Sequence, residues 1–163
     1  IKQVKNLSTG KLLTLYCLIR QIAGAMSLRI SGHPQFVRPL INPMAQGAAV
    51  GKYGELDKKT EDKIKAASAA MENYGNFYGQ NLFLASSGVL LIVNTLSGLG
   101  YVTTGLDVAK ASVPVAIIVF VLVLIQNLIL DKQLKSKELL LLDYNHINNR
   151  LMLQYHLYLQ LLS

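Results

Sequence analysis

The residues best equipped for chemistry fall in two strings. The first, Gly32 to Pro43, reads GHPQFVRPLINP and carries His33, Gln35, Arg38 and Asn42. The second, Asn73 to Asn81, reads NYGNFYGQN and carries Asn73, Asn76, Gln80 and Asn81. Asn and Gln offer donors and acceptors without fixed charge, which suits a small polar solute. Ionisable groups in apolar surroundings are functional candidates by default, and here these are Arg20, His33 and Arg38. Patterns for covalent or metal-assisted catalysis do not occur: there is no HExxH, CxxC, GxSxG or P-loop. His33, His146 and His156 are too scattered to suggest a metal site. The expectation is therefore a protein that is not an enzyme and takes no cofactor. Cys17 is the one cysteine, so no disulfide forms within the chain. It reads as a small buried hydrophobe.

Each string also has a plainer explanation. His33-Pro34 fits a turn at a membrane interface, with Arg38 reaching to headgroups. Gly75 and Gly79 have the small-xxx-small spacing that lets helices approach closely, and so do Gly47 and Gly51. Arg20 either pairs with an acid on a partner subunit or marks the end of its apolar stretch.

The elements that hold these residues follow from where charges are missing. Only 15% of the 163 residues are charged, against roughly 25% in an average soluble domain. Asn73 to Leu106 is a run of 34 residues without a charge, and Ala111 to Leu130 a run of 20. At ~1.5 Å per helical residue, 20 residues cross the ~30 Å hydrocarbon core of a bilayer. The second run holds 14 Leu, Ile, Val or Phe residues. The alternative, a buried core helix of a soluble protein, fits poorly because such helices average about 11–12 residues. The predicted fold is all-α: a polytopic helical membrane protein with two clear spanning helices, about 80–100 and 111–130. Pro114 is placed in the first turn or so of the second, where its missing N–H does no harm.

The N-terminal third is less regular. Residues 11–30 are apolar apart from Lys11, Arg20 and Arg29. Three of the four prolines then fall between Gly32 and Pro43. Proline removes a donor and disfavours helix in the residue before it, so a helix, a broken polar segment and a second short helix are expected. Segments of about 11–30 and 34–51 form an N-terminal helical hairpin or re-entrant pair in this reading. The Asn73–Asn81 string is expected to interrupt regular structure as well, since transporters unwind helices around solutes.

Topology follows from lysine counts. Lys52, Lys58, Lys59, Lys63 and Lys65 lie in the segment 52–72, and Lys132, Lys135 and Lys137 follow the last span. Lys110 alone lies between the spans. Positive residues favour the cytoplasmic side. This puts 52–72 and 131–138 inside and the loop 101–110 outside. Lys2, Lys5 and Lys11 join the inside if residues 12–51 go out and back. Asp57 is positioned to cap a helix, with Glu61 and Lys65 as an i,i+4 pair. The net charge of +7 then belongs to loops, and no nucleic-acid motif accompanies it.

The strings LLTLYCLIRQIAGAMSLRISGHPQFVRPLINPMAQGAA and AAMENYGNFYGQNLFLASSGVLLIV, with the residues as far as Leu134, resemble a bacterial integral-membrane family filed as domain of unknown function 969. The resemblance covers roughly Ser8 to Lys135. It implies an all-helical inner-membrane protein paired with a second multi-span membrane subunit from a companion family. Together they imply a permease for a small carboxylate, with 5-oxoproline as the candidate. His33, Gln35, Arg38, Asn42, Glu72, Asn73, Asn76, Gln80 and Asn81 match the family's polar motifs. Arg38 or a helix N-terminus would then hold the carboxylate, and Asn and Gln the lactam. A non-transporting scaffold subunit that stabilises the partner is the other reading. Members of the family begin with further apolar spans, so residues 1–135 are expected to be the C-terminal part of a longer membrane domain. The tail 136–163 does not resemble the family and is expected as an interfacial helix or a disordered segment.

Overall fold

The computed structural model describes residues 7–28 and 32–162. The side chain of His33 and most side chains beyond Leu139 lie outside the described set, as do Lys2 and Lys5. The architecture is all-helical: α1 (Thr9–Ala25), a π-helical segment (His33–Ile41), α2 (Asn42–Tyr53), α3 (Lys58–Gln80), α4 (Ser87–Gly98) and α5 (Gly105–Leu162).

Helix α1 starts where Ser8 accepts from the Lys11 amide. Its orphan N-terminal donors also meet a carboxylate from α5: Gly10 N donates to Asp131 Oδ1 at 2.8 Å, and the Ser8 hydroxyl donates to Asp131 Oδ2 at 2.6 Å. A negative group at a helix N-terminus is favourable. At the other end Ser27 takes a left-handed φ of 57° and the Leu28 amide returns to Ala23 O at 2.8 Å.

The expected break over Gly32–Pro43 is replaced by continuous hydrogen bonding. Pro39 inside an α-helix would drive its ring into the carbonyl four residues back. A wider turn relieves that clash. The Asn42 amide accordingly bonds Val37 O, five residues earlier, and the segment runs into α2 without a gap. The Asn73–Asn81 string does not interrupt structure either, because α3 continues through Gln80.

Where the first span is expected, the helix is broken. Asn81 to Ser86 forms turns, Ser86 accepts from Val89 N, and α4 has 12 residues, or ~18 Å. Ser86 starts a helix here, as Ser does when its hydroxyl competes for backbone amides. Where the second span is expected there is a helix long and apolar enough to cross a membrane, and it is longer than expected. Thr104 and Asp107 exchange side chain-to-backbone bonds in a capping box, so α5 begins at Gly105. Pro114 therefore lies well inside α5 rather than in its first turn. The helix runs on through Leu162, taking in the tail as far as it is described.

The directions of the helices follow from their contacts. Thr14 meets Asn127 and Gln21 meets Ala116, so α1 runs antiparallel to α5. Tyr16 meets Glu72, Arg20 lies against Gly75 and Gln21 against Gly79, so α1 and α3 are parallel. The π segment and α2 supply the return path: Phe36 stacks on Tyr16, and Thr9 donates to Ala45 O. The core lies between these rods and includes Leu13, Ile64, Met71 and Val123, with Cys17 buried beside them as expected. Lys137 donates to Asp57 and Thr60, and Lys63 to Gln133. The two lysine-rich segments thus share one end of the bundle.

Candidate functional site

The most densely bonded polar group in the interior sits where α1 crosses α3. Arg20 and Glu72 are 5% and 3% exposed. Arg20 Nη2 lies 2.6 Å from Glu72 Oε1, and the Tyr16 hydroxyl donates to Glu72 Oε2. Tyr16 and Arg20 are four residues apart, so both project from one face of α1. Glu72, Gly75 and Gly79 form the facing stripe of α3. A Cβ at Gly75 would lie 2.7 Å from Arg20 Cβ, and one at Gly79 would lie 2.4 Å from the Gln21 carbonyl oxygen. Glycine at both positions is what lets the two helices touch along their backbones. Arg20 pairs with an acid of its own chain, where the sequence offered either an acid on a partner subunit or the end of an apolar stretch.

The π segment covers this cluster. The Phe36 and Tyr16 rings stack with centroids 5.9 Å apart. Gly32 places its Cβ direction 3.8 Å from Glu72 Oε1. The cluster is level with the charge-free part of α5, between Gln21, which donates to Ala116 O at 3.2 Å, and Asn127, which donates to Thr14 Oγ1 at 2.9 Å.

The candidate residues divide. Gln35 and Arg38 are exposed on the π segment, next to Phe36 and Val37, which turn inward. Asn42 is half-buried and accepts from Gln46 Nε2 at 3.3 Å. Asn73, Asn76 and Gln80 share one face of α3 by their i, i+3, i+7 spacing. That face adjoins the glycine stripe, and its residues are exposed or half-buried. Asn81 lines a groove of about 490 Å³ between α3, α4 and α5, with Phe77, Tyr78, Ile92, Leu96 and Val115. His33 has its side chain outside the described residues. Gln35 and Arg38 are thus carried on a different element from Asn73, Asn76, Gln80 and Asn81.

Sequence reasoning missed three participants. Tyr16 and Gln21 lie in a stretch that composition marks as apolar; Tyr16 sits one helical turn before Arg20, and that spacing was the available signal, whereas Gln21 directly follows Arg20 and had none. Asn127 is one polar residue near the end of the uncharged run 111–130, where polar groups carry no special signal. It is 1% exposed, and its Oδ1 has no hydrogen-bond partner among the described residues.

No curated protein and no solved structure matches the chain. A family model described as a protein of unknown function (DUF969) does match, over residues 1–135, and the chain belongs to that family.

Proposed function

We propose that this chain is a multi-pass subunit of a bacterial inner-membrane permease for a small carboxylate, with 5-oxoproline as the candidate substrate and a second multi-span membrane subunit as its partner. The observation that carries the reading is the buried Arg20–Glu72–Tyr16 cluster beneath a π-helical, proline-bearing segment, at the depth of the charge-free part of α5. Ionisable pairs at membrane depth mark solute or ion pathways, and π-helical turns recur at functional sites. The bilayer assignment is supported by α5. Gly105–Leu139 is the one helix among the described residues long and apolar enough to cross a membrane, and 22% of its most apolar window is buried. Ile117, Ile118, Leu122, Ile125 and Leu128 all face outward. Lys52, Lys58, Lys59, Lys63, Lys132, Lys135 and Lys137 gather at one end, which the positive-inside rule makes cytoplasmic.

The test is uptake of labelled 5-oxoproline by cells carrying the full-length protein and its partner. Uptake is expected to fall in Arg38→Ala and Asn76→Ala. Unchanged uptake in both removes those residues from the pathway, and no uptake with both subunits present removes the substrate.

A scaffold subunit is the second reading, favoured by the exposure of Gln35, Arg38, Asn73 and Gln80. Sensitivity at Gly75 and Gly79 does not separate the two readings, because these glycines pack within the chain. The polar face of α3 does: a scaffold tolerates Asn76→Ala in transport, and a permease does not.

A further inference from the structure

We infer that the groove between α3 and α5 is a binding site for an anionic phospholipid of the cytoplasmic leaflet, with the phosphate held at its mouth by Lys63 and an acyl chain laid along its apolar floor. This rests on the bilayer assignment proposed above and names a lipid partner for the same membrane domain.

The groove encloses about 580 Å³. Ala66, Ala67 and Ala70 form its α3 wall, and Leu122, Ile125 and Ile129 its α5 wall. Lys63 shares one side of α3 with the three alanines by their i, i+3, i+4, i+7 spacing. Their short side chains leave open the space that larger ones would fill. At the cytoplasmic end Lys63 donates to Gln133 across the mouth. The depth of that mouth follows from the sequence of α5. The charge-free run ends at Leu130, so Gln133 lies about 4.5 Å beyond it, where headgroups begin. The floor reaches Leu122, ~12 Å on the hydrocarbon side of Leu130.

Charge decides the occupant. Lys63 is exposed and pairs with no carboxylate among the described residues. The same holds for Lys59, one turn before it on the same side of α3, and for Lys132, next to Gln133 in the chain. Basic pockets between spanning helices on the cytoplasmic side take anionic headgroups. Gln133 adds position, because its bond keeps the Lys63 ammonium over the mouth. A free phosphate would use the mouth and leave the apolar floor empty. A zwitterionic lipid would bring its own ammonium to the lysines. An anionic phospholipid matches both parts, with charge at the interface and hydrocarbon beneath. Gln126 places an exposed amide one turn inside the end of the charge-free run, and lipid ester carbonyls are the acceptors available to it there. A transmembrane helix would fit the walls as well, but it would leave the lysines at the mouth unused.

The experiment places the full-length protein in phosphatidylcholine nanodiscs and adds phosphatidylglycerol or phosphatidylcholine carrying a spin label on the acyl chain. Phosphatidylglycerol is expected to enter an immobilised population at least about fivefold more tightly, the contribution of one lysine at a membrane surface. Lys63→Gln keeps a hydrogen-bonding partner for Gln133 and removes the charge, and it is expected to lower that preference about fivefold. Lys65→Gln alters the opposite side of α3 and is expected to leave the preference nearly unchanged. Ala66→Phe fills the groove from an exposed position and is expected to abolish the immobilised population for both lipids. Equal affinity for the two lipids overturns the inference, as does an immobilised population that survives Ala66→Phe. An equal loss in Lys63→Gln and Lys65→Gln also overturns it, since that means general attraction to the surface. If the immobilised population vanishes when the partner subunit is reconstituted too, the groove belongs to a helix and the inference falls. Alkaline carbonate extraction separates the failures. Release of the protein from membranes refutes the bilayer assignment and the lipid site together, whereas retention with equal lipid affinities refutes the site alone.

Discussion

The α1–α3 seam and helix α5 solve opposite problems. Along the seam, every large group has a partner inside the chain: Arg20 has Glu72, Tyr16 has Glu72 and Phe36, and the backbones meet at Gly24, Gly75 and Gly79. Helix α5 is nearly the reverse. Its buried residues Ala109, Ala116, Val123 and Leu130 recur every seven positions, with Asn127 and Leu134 four residues after the last two. That is the narrow stripe of a coiled-coil seam. Between Val113 and Ile129 the other faces of α5 are largely apolar and exposed. The seam is finished by the chain itself, whereas the described outer faces of α5 are left uncovered by it. In hydrocarbon an uncovered Leu costs nothing, and helices associate through close packing and polar bonds. The seam supplies both.

Substitutions at the buried pair test this contrast most severely. Arg20→Ala leaves Glu72 buried without its counter-ion and is expected to destabilise the protein by about 3–5 kcal/mol. Glu72→Ala should do the same. Replacing both with Met should recover most of the loss, because no charge is then stranded. Thermal unfolding in detergent measures all three. A double variant as unstable as the singles would show that the seam depends on something other than charge balance.

The glycines come next. Gly79→Ala places a methyl against the Gln21 carbonyl and forces the helices apart, an overpacking cost of about 1–3 kcal/mol. Gly47→Ala in α2 is the control. Nothing lies within 4 Å of its Cβ position, and Ala in a helix interior is favoured over Gly by about 0.5–1 kcal/mol. The two glycine pairs look alike in sequence, and only one of them packs. Equal melting shifts in the two variants would remove close approach as the reason for Gly79.

Helix α5 gives a finer comparison between its own faces. Val123→Ala, in the buried stripe, is expected to cost about 1–2 kcal/mol. Ile125→Ala, which removes more surface but faces outward, should stay within about 0.5 kcal/mol. Thermal unfolding measures both, and the reverse order would mean that another part of the chain covers the outer face.

What could be read from the sequence divides along the same line. Features set by neighbours in the chain were legible: α5 from its missing charges, the cap at Asp57 from its residue type ahead of a helical stretch, and a departure from regular α-helix near Pro34 and Pro39, though as a π-helical turn rather than the expected break. Features set by distant partners were not. Nothing local relates Arg20 to Glu72, 52 positions on, so Arg20 was offered an acid on another subunit. The interruption at Asn81–Ser86 was hidden because apolar composition fixes neither helix ends nor length, and nothing in it shows that the Ser86 hydroxyl accepts from the Val89 amide and starts α4. For the candidate site, the polar strings were visible from composition, but their depth was not. Residue type cannot say that Glu72 turns inward while Asn73, one position on, turns outward.

The smallest effect belongs to the lysine-rich end, where α5 is clasped by charge in water rather than in the interior. Asp57 caps α3 and accepts from Lys137, and it is exposed. The hydrogen bond from Lys137 is the main influence on its carboxyl, followed by that from Thr60, and together they hold it below the ordinary carboxylate range, at about 2. A depressed value means that the folded state favours the ionised form. Its contribution is therefore complete above the unfolded value of about 3.9 and fades as the pH falls from there toward 2. At neutral pH the clasp is intact, and added salt weakens it because both partners face solvent. Amide exchange at Thr60 and Glu61, both bonded to the Asp57 carbonyl, reports on this end alone. Exchange there should quicken in acid in the wild type and show little acid dependence in Asp57→Asn, which keeps a capping side chain but cannot titrate. If acid loosens the variant as much as the wild type, the clasp is not what responds.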